Sequence, residues 1–229
     1  MAEFSGFPRG FFQFYKELAK NNERDWFNAN KSRYLDDVVD PALDFIAAME
    51  PKLKKVSPHF LAIAKRSRGS LMRIYRDTRF SKNKVPYKTN LGIQFRHEMG
   101  KDVHAPGFYF HYSPQESFIG SGIWHPDRDP LKQIRSTIVD HDARWKRVKG
   151  NKKFKEYFEL AGESLKRAPR DFDPEHKLIE DLKRKDFIAV SPLDPAIMKT
   201  PELIDVTVDR MKRSMSFVRF LCDALHLPS

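Results

Sequence analysis

Arg73 to Asn90 reads RIYRDTRFSKNKVPYKTN, in which six cations surround a single acid, Asp77, with Tyr75, Phe80 and Tyr87 interleaved. Arginine presents a planar fork of N–H donors that grips phosphate or carboxylate through two hydrogen bonds, and lysine adds a mobile point charge. The candidates for such a grip are Arg73, Arg76, Arg79, Lys82, Lys84 and Lys88, with the Tyr87 hydroxyl as a further donor. The charge is local. Residues 65–101 hold eleven Lys/Arg against Asp77 and Glu98, a net of +9, whereas the whole chain of 229 residues carries +11. Positive charge so concentrated repels itself unless an anion or a buried acid offsets it, so an anion is the favoured partner. A solvated basic face and a set of internal salt bridges are the two bland alternatives.

Asp77 is flanked by Arg76 and Arg79, and nearby cations favour the charged form of a carboxylate. That suits a brace that orients an arginine better than a general base, since a depressed pKa makes a weak base. Catalytic proton transfer by Asp77 is the less favoured reading. Other chemistry is thin. The eight histidines show no HExxH spacing, there is no Walker-type or GxGxxG glycine loop, and the one cysteine, Cys222, reads as a buried hydrophobe on a helix. No metal and no cofactor is expected. His125 and Asp127 beside Trp124 fit a cleft or a capped turn equally well, and His141-Asp142 reads as surface. Gly120-Ser121-Gly122 marks a strand that passes close to another backbone.

These residues need elements to hold them. Phe7, Phe11, Phe14 and Leu18 form one helical face between Ser5 and Lys20, and a second helix begins near Glu23. Pro41 should end or restart that helix, because proline lacks the donor and its ring meets the preceding turn. Leu43, Ile46, Met49 and Leu53 continue a helical face to about Val56. The period then changes: 71–77, 90–97, 107–113 and 116–123 read as strands, with short connections that favour an antiparallel meander. In 71–77, alternation puts Arg73, Tyr75 and Asp77 on one face and Met72, Ile74 and Arg76 against the core. Helical pattern returns over 129–139 and 151–161, and 187–191 reads as one more strand. A last helix opens at Thr200-Pro201-Glu202, with a stripe through Ile204, Val208, Met211, Met215, Val218, Cys222 and Leu225. The stripe is expected to pack on the chain's own core; a dimer seam is the alternative. The fold class is therefore α+β: one domain over 1–229, helical over 1–60, a sheet core over 70–125 and a helical part over 128–229.

The lone cysteine rules out an internal disulfide, no apolar run approaches the roughly 18 residues of a membrane span, and the N-terminus lacks the pattern of a signal peptide. A cytoplasmic protein without a membrane partner is expected; the oligomeric state is open.

NNERDWFNANKSRY (21–34), RIYRDTRFSKNKVPYKTN (73–90), PGFYFHYSP and GSGIWHP together resemble the family catalogued as domain of unknown function 2461. The resemblance implies that Asn22, Arg24, Trp26, Phe27, Asn30, Lys31 and Tyr34 belong to a shared pattern. It implies the same for Arg73, Tyr75, Arg76, Asp77, Arg79, Phe80, Ser81, Lys82, Lys84, Pro86, Tyr87 and Lys88. Asn22, Arg24, Trp26, Asn30 and Lys31 become second contributors to the basic cleft on this ground. The chain carries Asn83 where the family usually has Asp, and Val85 where Thr is frequent, which leaves Asp77 as the only acid of the segment. The expected function is binding of a phosphorylated small molecule, or of nucleic-acid backbone, in a basic cleft built around 73–90. The alternatives are an enzyme of phosphoryl or acyl chemistry that uses the Arg/Asp/Lys cluster, and an internal ion-pair network.

Overall fold

The structure, a computed structural model, describes residues 4–79, 82–100 and 105–229, so Phe80 and Ser81 lie outside the described residues. Alternation of Leu91, Ile93 and Phe95 with polar neighbours becomes β2 (Leu91–His97), which pairs with β3 (Gly107–Tyr112) and through it with β4 (Ser117–Ile123). Both pairings are antiparallel, as the short connections require. β6 (Phe187–Pro192) joins β4, with β5 (Glu159–Ala161) beyond it, and β1 (Phe60–Leu61) closes the other side. The sheet order is β1-β2-β3-β4-β6-β5, and the fold is α+β.

Register decides which side chains share a face. Ile93, Phe110 and Ile119 stand in line across the sheet, and all three are fully buried. Helix α1 (Arg9–Lys20) and the helical run ending in α4 (Asp40–Val56) cover this face, Phe110 meeting Phe7 at 6.1 Å and Phe45 at 4.9 Å between ring centroids. Helix α9 (Leu203–Ala224) also lies here, and the Ser121 and Ser214 hydroxyls hydrogen-bond at 2.8 Å from β4 to α9. The stripe Ile204, Val208, Met211, Met215, Val218 and Cys222 is buried in the chain's own core. Phe217, Phe220 and Leu221 of the same helix pack into a second cluster with Trp145 and Phe187. The opposite face, with Gln94, Tyr109, Phe118, Ile188 and Val190, is only partly buried.

Residues 71–77 are not a strand. Leu71 bridges Ile93, Tyr75 bridges Tyr87, and the two buried positions, Leu71 and Ile74, are three apart instead of two. The segment leaves the edge of β2 and rotates before pairing with 86–88, so Met72 faces out at 37% exposure instead of toward the core.

Pro41 restarts the helix instead of ending the helical run: it stands in the first turn of α4. A π-helical stretch, Tyr34–Val39, links α3 (Lys31–Arg33) to α4, and Asp40 donates to the Leu35 carbonyl five residues back. The wider turn leaves room for the proline ring and needs no donor from it. Two further differences concern short elements. Residues 151–161 divide into α7 (Lys152–Lys155) and strand β5, and the expected helix 129–139, observed as α5 (Arg128–Asp140), is followed by another, α6 (Asp142–Gly150). A one-turn helix, α8 (Ile179–Leu182), precedes β6.

Candidate functional site

The basic segment is pinned from two sides. Met72 N donates to the Gly92 carbonyl at 2.9 Å, fixing its start against β2. Further on, Arg76 N donates to Pro86 O at 2.9 Å and Lys88 N to Ile74 O at 2.7 Å, so 74–76 and 86–88 form a small ladder. Helix α2 (Arg24–Ala29) supports that ladder from behind: the Tyr87 ring stacks on Phe27 at 4.1 Å with 19° between planes. Asn22, just before α2, clamps the Tyr87 peptide with both ends of its amide, donating to Tyr87 O at 3.0 Å and accepting from Tyr87 N at 3.1 Å.

This frame brings Arg73, Arg76, Asp77 and Lys88 to one cavity of about 310 Å³, whose remaining walls are Met72, Asn90, Gly92 and Tyr109. Among the described residues, no acid lies within ion-pair distance of Arg73, Arg76 or Lys88. Burial, and then the charge of Arg73, lowers the Lys88 pKa from its ordinary value. Asp77 is engaged instead by Arg79: Nε donates to Oδ1 at 3.0 Å, Nη2 to Oδ2 at 2.7 Å, and the Arg79 backbone N–H to Oδ1 at 3.2 Å. The Arg79 side-chain bonds, followed by its backbone bond, lower the Asp77 pKa to about 2. Burial pushes the Tyr109 phenol up to about 12, outweighing the opposing effect of the Asn90 side chain, so it stays un-ionised near neutral pH.

Other residues from the sequence reading fall outside the cavity. Arg79 faces solvent around Asp77, Lys82 is exposed, and Lys84 Nζ donates to the Thr78 carbonyl at 2.9 Å, closing the loop on itself. Asn30 Nδ2 donates to the Trp26 carbonyl at 2.9 Å and its Oδ1 accepts from Arg33 at 2.8 Å, while Trp26 packs on Phe14 at 5.7 Å. Arg24 and Lys31 are exposed on the helices behind the ladder. Asn22, Trp26 and Asn30 therefore hold the frame and do not line the cavity.

The sequence reading missed Asn90, Gly92 and Tyr109 as cavity walls. Alternation carried the signal for one of them: Tyr109 stands opposite Phe108 and Phe110 in a strand whose other face is core. Among the described residues, no group of three or more His, Cys, Asp or Glu side chains is placed to hold a metal ion. No described helix is long and apolar enough to cross a membrane.

Fold and cleft together define an α+β protein whose antiparallel sheet is covered by helices on one face and opens beside a cationic cavity on the other. The chain belongs to the family described as "Conserved hypothetical protein (DUF2461)", which matches residues 10–220. No curated protein and no solved structure matches it.

Proposed function

We propose that the cavity at Arg73, Arg76 and Lys88 binds a phosphorylated or otherwise anionic small molecule. One observation carries this reading: three cations converge on one concavity whose single acid, Asp77, is already paired with Arg79, so a surplus of positive charge is left. Unoffset charge of this kind costs stability in the empty protein and favours an anion when one arrives. A cavity of about 310 Å³ is at the small end of ligand pockets. It suits a compact anion better than the extended track of a nucleic-acid backbone, because Arg79, Lys82 and Lys84 do not line it. Asp77 serves in this reading as a brace, since a carboxylate held in its charged form by Arg79 is a weak base. The same proposal places the protein in the cytoplasm, in keeping with a single buried cysteine, Cys222.

A thermal-shift series with phosphate, sulfate, sugar phosphates, nucleotides and short oligonucleotides tests the reading, run at two salt concentrations beside Arg73→Ala/Arg76→Ala. A small anion at about a hundred times its Kd should add about 2.7 kcal/mol of stability and raise Tm in the wild type alone. Without ligand, the double variant should melt at or above the wild-type temperature, because two repelling cations are gone. A double variant that loses several kcal/mol, with no anion raising Tm, would return the cluster to a structural role. Binding confined to oligonucleotides and falling steeply with salt would favour nucleic acid instead.

A further inference from the structure

A second cavity, of about 360 Å³, lies on the same open face of the sheet and shares Met72 and Tyr109 with the cationic one. Its floor is bare backbone: Gly107 of β3 stands opposite Gly122 of β4, and Tyr109 opposite Gly120. Its sides are the rings of Tyr109, Phe118 and Trp124 with the aliphatic Ile188 and Val190 of β6, and no residue lining it belongs to a helix.

Two of the floor glycines have backbone reasons to be there. Gly122 adopts φ +116°, and a Cβ on it would lie 2.1 Å from the Phe187 carbonyl oxygen; a Cβ on Gly107 would lie 3.0 Å from Phe95 O. Gly120 has neither constraint, since its Cβ would meet nothing nearer than Tyr109 Cβ at 3.6 Å and Phe118 Cε2 at 3.8 Å. A glycine inside a central strand weakens it, and here the fold does not demand one. What glycine at 120 does is leave the floor flat. Gly92 does a similar service at the seam of the two cavities, where a Cβ would lie 2.5 Å from the Tyr109 hydroxyl.

Trp124 supplies the third observation. It is 57% exposed, an unusual place for an indole, yet it is held: its ring stacks on His125 at 4.1 Å with 16° between planes. His125 is itself fixed in a left-handed turn, φ 48°, by two hydrogen bonds to the buried Asp186.

We propose that the two cavities are halves of one site, and that its ligand is an aryl anion. A planar aromatic ring lies on the glycine floor between Trp124, Phe118 and Tyr109, and the phosphate or carboxylate joined to it meets Arg73, Arg76 and Lys88. A flat floor with aromatic sides selects a ring over a flexible chain, since stacking rewards a rigid plane and costs little ordering. The inference rests on the anion reading above and adds the chemistry of the rest of the ligand.

Titration calorimetry in a phosphate-free buffer tests it with three probes: inorganic phosphate, 1-naphthyl phosphate and decyl phosphate. Wild type should bind 1-naphthyl phosphate at least about tenfold tighter than inorganic phosphate, a modest return for one buried ring. Gly120→Val, whose branched side chain suits a strand and fills the floor, should abolish that advantage while leaving inorganic phosphate unaffected. Trp124→Ala, an exposed position, should reduce it and keeps the test valid if Gly120→Val melts early. If inorganic phosphate binds and 1-naphthyl phosphate is no tighter, or if both variants retain the advantage, the aryl inference is overturned and the anion reading stands. Decyl phosphate binding as tightly as 1-naphthyl phosphate would overturn the planar ligand. If no probe binds, the anion reading fails and this inference falls with it.

Discussion

Asp186 has 1% of its side chain exposed and accepts three hydrogen bonds, from His125 N at 2.8 Å, His125 Nδ1 at 2.7 Å and Glu163 N at 2.8 Å. Burial acts to raise its pKa, but the two backbone donors and the His125 ring outweigh it, and the pKa is lowered. A carboxylate lowered by folding contributes stability above its unfolded pKa of about 4, and the contribution fades as pH falls through the folded one. Asp186→Asn keeps the shape but turns an amide toward N–H groups, so it should cost about 2–3 kcal/mol at neutral pH. Urea unfolding at neutral pH and at about pH 3 checks this: the variant should lose less stability on acidification than the wild type. An equal loss would put the acid sensitivity elsewhere. Charge made Arg73, Arg76 and Lys88 legible in the sequence, because cations cluster visibly. Asp186, between Lys185 and Phe187, carries no such pattern; its importance comes from contacts with residues 61 positions away. Asn22 was found through resemblance, yet its role as a clamp on Tyr87 needed the fold.

β2, β3 and β4 were readable because one face is core and the other is not, which imprints a period of two. The stretch 71–77 fails the same test: pairing changes partner from Ile93 to Tyr87 within five residues, and no single period survives the rotation. β1 and β5, of 2 and 3 residues, are too short to show a period at all. The second cavity was invisible for a different reason, since glycines announce a backbone constraint but not the space they leave. Gly120 and Gly122 separate these meanings by experiment. Gly122→Ala should destabilise by at least about 2 kcal/mol, because φ +116° is strained for alanine and the Phe187 carbonyl stands in its way. Gly120→Ala should be neutral or slightly stabilising. Chemical denaturation of the two variants side by side reads this out; equal losses would mean that the floor at 120 is also under backbone constraint.

Across the molecule, the described apolar side chains form two clusters, and α9 contributes to both. Met211, Met215 and Val218 face the cluster with α1 and α4, whereas Phe217, Phe220 and Leu221 face Trp145. We take the chain as one cooperative domain on this ground. Trp26 packs against the first cluster and Trp145 lies in the second, so each reports on its own side. Single-tryptophan variants retaining Trp26 or Trp145 should show coincident urea transitions. Midpoints that differ would make the clusters separate folding units. The position of α9 in chain order has a consequence for synthesis. A ribosome emits about 5–20 residues per second, so strands β1 to β6 are out before residues 203–224 follow. Until that helix arrives, both clusters lack a wall and the inner surface of β4 stays wet. The growing polypeptide is then most exposed to aggregation while the sheet is complete but unroofed, and a holdase that grips Phe- and Ile-rich strands would find its work in that interval.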